Sequence, residues 1–169
     1  MLILKIFLLL IIFILSTIIG IAIAKMYENR VKELQEFKGT LNAMKTKIKF
    51  TYEPLEEIFI DISKNDKNNI SKIFKQMSEQ IKYRSVEDVW TSCIQNADIS
   101  IKQEDKNILK RLGKLLGQTD VEGQISEIEL VNNFIDNQIE KAEEESKKNV
   151  KMYKTLGTTV GLAVVILLI

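Results

Sequence analysis

Two groups of carboxylates, at residues 104–105 and 143–145, are the side chains most able to support acid–base catalysis or metal binding. Neighbouring residues on a helix point about 100° apart, so a contiguous run does not converge on one ion. Glu143 and Glu144 instead precede Lys147 and Lys148 by four residues, the favourable order for ion pairs on a helix surface. The pattern therefore predicts a solvated charged face rather than a catalytic or metal site.

Nucleophilic chemistry is limited by the absence of histidine and the presence of a single cysteine, Cys93. Without histidine there is no Ser-His-Asp or Cys-His relay, no histidine-ligated metal and no histidine pH switch. One cysteine excludes an internal disulfide and a CxxC pair. Cys93 shares a predicted helix face with Trp90 and Ala97, which favours a buried small hydrophobe. Trp90 itself is interpreted as a core residue, with contact to a protein partner as the alternative.

Two further patterns could indicate chemistry, and both have simpler structural interpretations. The LGKLLG segment that ends at Gly117 lacks the GK[ST] signature of a phosphate-binding loop. Asp120 lies at a predicted helix start, where a carboxylate accepts hydrogen bonds from free amides. A hydrolase using Asp105 or Asp120 remains the enzyme alternative. We predict no enzyme activity, no cofactor and no metal.

The charges are confined to the middle of the chain. Of 24 basic and 23 acidic residues, all except Lys5 lie between Lys25 and Lys154, so that segment has zero net charge. This neutrality argues against a nucleic-acid surface, which requires a basic face. The sequence thus divides into an N-terminal anchor (1–24), a charged domain (25–154) and an apolar C-terminal segment (155–169).

The first apolar run, residues 6–24, contains 19 residues without a charge. As a helix it is roughly 28 Å long, close to the thickness of the hydrocarbon core of a bilayer. It ends in Ala22-Ile23-Ala24, which also has the form of a signal-peptidase site. We favour a retained transmembrane anchor over a cleaved signal, because a charged amphipathic helix begins directly at Lys25.

The second apolar run, residues 155–169, is shorter, at about 22 Å as a helix. A soluble core helix is the alternative for so short a run, but its last nine residues have no polar face. Gly157 and Gly161 form a small-xxx-small pair, which lets helices approach closely in lipid. We predict a second transmembrane helix with these two glycines at a packing interface.

The orientation of both spans follows from nearby basic residues. Only Lys5 lies outside the domain, whereas basic residues cluster beside both spans on the domain side. The positive-inside rule then places the domain in the cytoplasm and both chain ends outside. The clustered residues are Lys25, Arg30, Lys32, Lys38, Lys141, Lys147, Lys148, Lys151 and Lys154.

The domain is predicted to be an all-α helical bundle. Apolar residues from Tyr27 to Ile48 recur every three or four positions, which predicts a helix continuous with the first anchor. A heptad-like, coiled-coil seam from Val121 to Leu156 predicts an unbroken last helix that begins at a Thr119–Glu122 capping box. These two helices form long stalks. Shorter helices are predicted between them, beginning near Pro54, Ile70, Ser85 and Ile101, with the last ending at Gly117 and a turn at 64–69.

Several segments resemble one known family, the stage III sporulation protein AB family of endospore-forming bacteria. The similar segments are YENRVKELQEFKGTLNAMKTKI (27–48), Pro54-Leu55, Trp90, EDKNILKRLGKLLGQTDVEGQ (104–124) and YKTLGTTVGLAVVILLI (153–169). Together they extend over essentially the whole chain, although residues 58–83 match only in pattern.

The resemblance implies a component of a membrane assembly that links mother cell and forespore, located in the mother-cell membrane around the forespore. The family is similar to the inner-membrane platform proteins of type II secretion, which work beside a cytoplasmic secretion ATPase. The resemblance therefore implies a structural scaffold that docks this ATPase or other channel subunits. A homo-oligomer is a further possible assembly. The alternative is a membrane-tethered signalling or regulatory module without a transport role.

Overall fold

The chain, as a computed structural model, is described over residues 2–64 and 68–168, with side chains from residue 4 onward. Within these residues it forms six α-helices and no strand, which confirms the all-α prediction. The helices are α1 (Leu2–Phe50), α2 (Leu55–Ser63), α3 (Asn69–Gln80), α4 (Val86–Asn96), α5 (Gln103–Leu112) and α6 (Val121–Leu168).

The terminal helices are long because neither contains a proline and both carry a regular apolar stripe. The predicted α1 stripe is buried from Leu34 to Ile48 and half-buried at Tyr27 and Val31, and the α6 seam is buried at Ile128, Ile135 and Ala142. The predicted continuity of the first apolar run with the first domain helix is therefore confirmed. The buried stripe residues of α1 are Leu34, Phe37, Leu41, Met44 and Ile48.

The chain folds into two compact units. The terminal unit contains the residues up to Val31 and those from Lys141 onward, and the central unit contains Lys32–Glu140. These bounds describe compactness and differ from the predicted membrane boundaries at 24/25 and 154/155, which stay predictions.

Side chains and backbone turns define the short helices of the central unit. Asn68 Oδ1 accepts a hydrogen bond from the Ser71 amide at 2.8 Å, and Ser85 Oγ accepts one from the Asp88 amide at 3.1 Å. These are N-caps, which satisfy amides that have no partner inside the helix. Pro54 directly precedes α2, near the predicted position. Of the predicted 64–69 turn, residues 65–67 lie outside the described part of the chain.

Two predicted helix boundaries are wrong. Helix α5 ends at Leu112 rather than at Gly117, and the chain continues in turns up to Gly117, which has a positive φ of 72°. The cap of α6 is Asp120 rather than Thr119, because Asp120 Oδ1 accepts the hydrogen bond of the Gly123 amide at 2.9 Å. Leucine spacing alone did not reveal that the chain leaves the helix.

The core of the central unit is aromatic. The rings of Phe59, Phe74 and Trp90 contact one another with centroid separations of 5.5 to 6.1 Å, and all three side chains have no exposed area. Gly113 lies against this cluster, since a Cβ added there would be 2.9 Å from Trp90 Cδ1. The glycine therefore lets α5 and the following turn approach the indole closely.

Candidate membrane hairpin and partner surface

In the terminal unit the two apolar segments meet through glycine. A Cβ added to Gly20 would lie 2.6 Å from the Tyr153 carbonyl oxygen and 2.9 Å from Gly157 Cα. A Cβ on Gly157 would in turn lie 3.0 Å from Gly20 Cα. Such distances leave no room for a side chain, so the two backbones are in direct contact. Gly157, a predicted packing residue, thus packs against Gly20, which the sequence analysis did not single out.

Gly161 lies one turn beyond Gly157 on the same contact. A Cβ there would be 3.1 Å from Ser16 Cβ and 3.2 Å from Phe13 Cδ2. Ser16 Oγ donates a hydrogen bond to the Gly157 carbonyl oxygen at 2.8 Å. Both predicted glycines therefore lie in an antiparallel contact of α1 with α6, here called the glycine seam (Ser16, Gly20, Gly157 and Gly161). That this contact lies in lipid remains a prediction.

Beside the glycine seam the two helices exchange polar and aromatic contacts. The rings of Tyr27 and Tyr153 are stacked with centroids 5.8 Å apart. Burial raises the pKa of the Tyr27 hydroxyl, and its hydrogen bond with Tyr153 raises it further. Arg30 is buried, and its Nη1 donates to Glu145 Oε2 at 2.9 Å. Polar pairing thus begins within a few residues of the apolar run.

Outside this contact, most large apolar side chains of the terminal unit are exposed or half-buried. Within residues 2–64 and 68–168, two helices are long and apolar enough to cross a membrane, and only 11% of the most apolar window of each is buried. The apolar core helices of soluble proteins are instead mostly buried. The exposed side chains include Leu4, Ile6, Phe7, Leu10, Leu15, Ile18, Ile19, Val160, Leu162 and Ile166.

Trp90, the candidate partner contact, lies inside the central unit. Its side chain has no exposed area, and its Nε1 donates to the Leu109 carbonyl oxygen at 2.8 Å. Trp90 therefore lies in the core in this structure, and no part of its indole is accessible to a partner. Cys93 is also buried, and burial raises the pKa of its thiol, so it is a small core residue rather than a nucleophile.

The carboxylates considered for catalysis have structural partners. Asp105 is buried and its Oδ2 accepts a hydrogen bond from the Lys102 amide at 2.8 Å, while Asp120 caps α6. Glu104 Oε1 accepts from Gln138 Nε2 at 3.0 Å. Over residues 2–64 and 68–168, no three acidic, cysteine or histidine residues come together as metal ligands.

A surface that the sequence analysis missed lies where three turns of the central unit meet. Lys82, after α3, pairs with Glu56 of α2 at 3.2 Å. A Cβ on Gly117 would lie 3.1 Å from Leu55 Cδ1 and 3.6 Å from Val86 Cγ2. The turns that follow α1, α3 and α5 therefore share one end of this unit, here called the turn end.

The turn end exposes large apolar side chains. Tyr83 is 85% exposed, Tyr52 78% and Phe50 69%, and Leu115 is also exposed. These residues lie in or beside turns, where hydrophobic periodicity predicts nothing, so no signal in the sequence distinguished them. Tyr52 also has a φ of 54°, which L-residues adopt at a cost of about 1 kcal/mol or more. Backbone strain of this kind is found at ligand clamps and switch regions, and aromatic side chains are common anchors in protein interfaces.

Comparison with known proteins identifies the family. The family model described as stage III sporulation protein AB matches residues 5–169. The chain belongs to the stage III sporulation protein AB family. The match includes both apolar segments as well as the helices between them.

One relative is similar over most of its length, and one solved structure has the same fold. The stage III sporulation protein AB of Bacillus subtilis (strain 168) is 27% identical over 157 residues, which cover 90% of this chain and 92% of the relative. A solved structure of a stage III sporulation protein AB has a TM-score of 0.65 at 21% identity, and covers 70% of this chain and 96% of its own. The resemblance noted from sequence segments is thereby confirmed. The family name denotes a stage of sporulation and no reaction.

Proposed function

We propose that this protein is a two-span membrane component of a sporulation complex, whose central unit docks a cytoplasmic secretion-type ATPase or channel subunits at the mother-cell membrane around the forespore. The observation that carries the proposal is the inverted surface of the terminal unit, where glycines pack inside and large apolar side chains face outward. Exposure of such a surface to water is unfavourable, whereas its exposure to lipid is not.

The cytoplasmic location is supported by basic residues beside both apolar segments. Lys25, Lys147, Lys148, Lys151 and Lys154 are all exposed, so they can reach lipid headgroups. The outer end of the first segment has Lys5 as its only basic side chain. This distribution favours retention of the central unit on the cytoplasmic side.

The turn end is the surface that we assign to the docked subunit. It exposes three aromatic rings, and the charged segment 25–154 has no net charge, which together suit a protein partner better than a nucleic acid. Buried aromatic side chains commonly dominate the binding energy of protein interfaces. We expect Phe50, Tyr52 and Tyr83 to become buried in the complex.

Site-specific crosslinking tests the docking. A photo-crosslinking amino acid at Tyr83 should capture the co-expressed secretion-type ATPase or a channel subunit of the same complex. The matched control is Asn96, which is also exposed but ends α4 at the opposite end from the turn end. Capture from both positions equally, or from neither, would contradict docking at the turn end.

A signalling module is the second candidate, because of one partly buried polar contact between the two long helices. Asn132 of α6 donates to Asn42 Oδ1 at 2.9 Å, and its own Oδ1 is buried without a partner among the described residues. A polar pair in a seam specifies register and lowers stability, which suits helices that move. Disulfide formation between Asn42→Cys and Asn132→Cys, with and without the ATPase, distinguishes the two functions. A yield that changes with the ATPase favours signalling, and an unchanged yield favours a fixed platform.

A further inference from the structure

Two cavities lie along one side of the helix pair in the terminal unit, and they differ in chemistry. The first, of about 420 Å³, is lined by Glu28, Lys147, Lys151, Lys154 and Thr155, among others. The second, of about 310 Å³, is lined entirely by apolar side chains, including Leu10, Phe13, Leu162 and Val165.

Helix geometry places both cavities on the same side. Lys147 and Val165 are 18 residues apart, which is about five turns, so they lie on one face of α6. Glu28 and Leu10 are also 18 residues apart and share one face of α1. A single continuous face of the helix pair therefore carries a charged cavity at one end and an apolar cavity at the other.

The charged cavity has an excess of positive charge. Lys154 Nζ lies 3.0 Å from Glu28 Oε1, so this lysine is paired. Lys147 and Lys151 form no ion pair with any residue that the structure describes, and both are exposed. The four charged groups therefore carry a net charge of +2, which complements a phosphodiester.

The distance between the cavities fits a phospholipid. Lys154 and Leu162 are eight residues apart and Lys154 and Val165 eleven, which is about 12 and 17 Å along a helix. Half of the hydrocarbon core of a bilayer is about 15 Å thick. A phosphate at the lysines would thus place one acyl chain beside the apolar cavity.

We infer that this face is a binding site for one anionic phospholipid, with the phosphate held by Lys147, Lys151 and Lys154 and one acyl chain in the apolar cavity. The site rests on the proposed membrane anchoring. Thr155 supplies a hydroxyl at the edge of the charged cavity for the headgroup. The bound lipid would fill the gap between the two helices on this side, beside the glycine seam.

Native mass spectrometry of the full chain in a neutral detergent tests the site. We expect one phosphatidylglycerol to bind in preference to phosphatidylcholine with the same acyl chains. Lys151→Gln should weaken this binding about fivefold and Lys147→Gln with Lys151→Gln about 25-fold, because each lysine near an anionic lipid contributes about that factor. Lys148→Gln removes the same charge from an exposed lysine that does not line the cavity, and should change the affinity less than twofold.

Three outcomes would overturn the lipid site. They are equal binding of the two lipids, an equal loss in Lys148→Gln and Lys151→Gln, and competition by glycerophosphoglycerol as strong as that of the intact lipid, which would indicate a free-anion site. Resistance of the chain to carbonate extraction from vesicles is measured in parallel. A chain that stays in the vesicles but does not discriminate between lipids refutes only this site, whereas an extracted chain refutes the anchoring itself.

Discussion

The terminal unit and the central unit are built from the same two long helices, but their contacts differ. In the terminal unit α1 and α6 touch through backbone atoms, with Gly20 and Gly157 in direct contact. In the central unit the same helices present large side chains, such as Phe37 and Ile135, to a buried core that also contains four short helices. Apolar residues face outward in the first unit and inward in the second.

This difference shows which driving force each unit depends on. Burial of apolar area out of water stabilises the central unit, at about 25 cal/mol per Å². In the bilayer that we propose for the terminal unit, outward apolar side chains gain nothing from one another, so the two helices would depend on close backbone approach there and on polar pairs such as Arg30 with Glu145 beside the spans. Substitutions should therefore affect the two units by different mechanisms.

The largest effect is expected for truncation of the aromatic core. Phe74→Ala should lower the free energy of unfolding by about 3 to 5 kcal/mol, because it leaves a cavity beside Phe59 and Trp90. Denaturant titration of the full chain in detergent measures it, with Trp90 as the single fluorescent probe. The control Phe50→Ala removes the same ring from a 69% exposed position and should change stability by less than about 0.5 kcal/mol. Similar losses in the free energy of unfolding of both variants would show that the core and the turn end do not differ in packing.

Glycine substitutions on α1 should have opposite signs in the two units. Gly20→Ala should destabilise the helix contact by about 1 to 3 kcal/mol, because its Cβ would lie 2.6 Å from a backbone oxygen. Gly39→Ala should stabilise the chain by about 0.5 to 1 kcal/mol, since nothing lies within 4 Å of a Cβ there and glycine weakens a helix interior.

The yield of a disulfide across the glycine seam measures how far Gly20→Ala weakens the contact between the two helices. In a Cys93→Ser background, Ser16→Cys and Gly161→Cys bring two thiols together: a Cβ on Gly161 lies 3.1 Å from that of Ser16, so the helices need to separate by only a few tenths of an ångström to reach disulfide geometry. Gly20→Ala should reduce the yield of this disulfide, and Gly39→Ala should leave it unchanged. An unaltered yield with Gly20→Ala would mean that the helices are not held by close approach.

A smaller effect is expected at the turn end. Tyr52→Gly should raise the free energy of unfolding by up to about 1 kcal/mol, because glycine adopts a φ of 54° without the steric cost of a side chain. The same change should reduce crosslinking of the partner from Tyr83. Tyr52→Ala also removes the ring but retains the steric cost, so it should weaken binding without the gain in stability. A loss of stability in Tyr52→Gly would show that the ring supports the fold instead.

The smallest effect is a pH dependence confined to the central unit. Hydrogen bonds from Lys47 and Lys64 lower the pKa of Asp61 from 3.8 to about 2. The folded pKa is below the unfolded one, so the stabilisation is fully present above about pH 4 and is lost as the pH falls towards 2. Unfolding titrations between pH 5 and 2 should show this decline, and Asp61→Asn should make it shallower. An identical pH profile in the variant would exclude Asp61 as its source.

Local patterns predicted the helices, and tertiary contacts determined what the patterns missed. The α1 stripe at Leu34, Phe37 and Leu41 was predictable because period and burial agree in an amphipathic helix. Gly157 and Gly161 could be selected by spacing, but their partner Gly20 could not, because the register between distant segments is not local. Neither could the early end of α5, where the turn is fixed by contacts around Gly113 and Gly117.

The location of Trp90 illustrates the same limit. A tryptophan on that face of a helix is compatible with either a core or an interface. The complete burial of Trp90 in the structure places it in the core. The exposed Tyr52 and Tyr83, by contrast, lie outside any periodic segment, so the sequence gives no reason to select them. Surfaces formed by turns depend on which helix ends come together, as Lys82 and Glu56 do here.

The proposed topology, in which two spans hold the central unit on the cytoplasmic side, is tested by cysteine labelling in intact vegetative cells that express the chain, because the outer ends of the spans would then face the medium. Native Cys93 is an unsuitable probe because its thiol is buried and its pKa is raised. In a Cys93→Ser background, the exposed position Asn96→Cys should react with a membrane-impermeant maleimide only after permeabilisation. A cysteine appended after Ile169 should react in intact cells. Labelling of Asn96→Cys from outside, with protection of the appended cysteine, would contradict a cytoplasmic central unit.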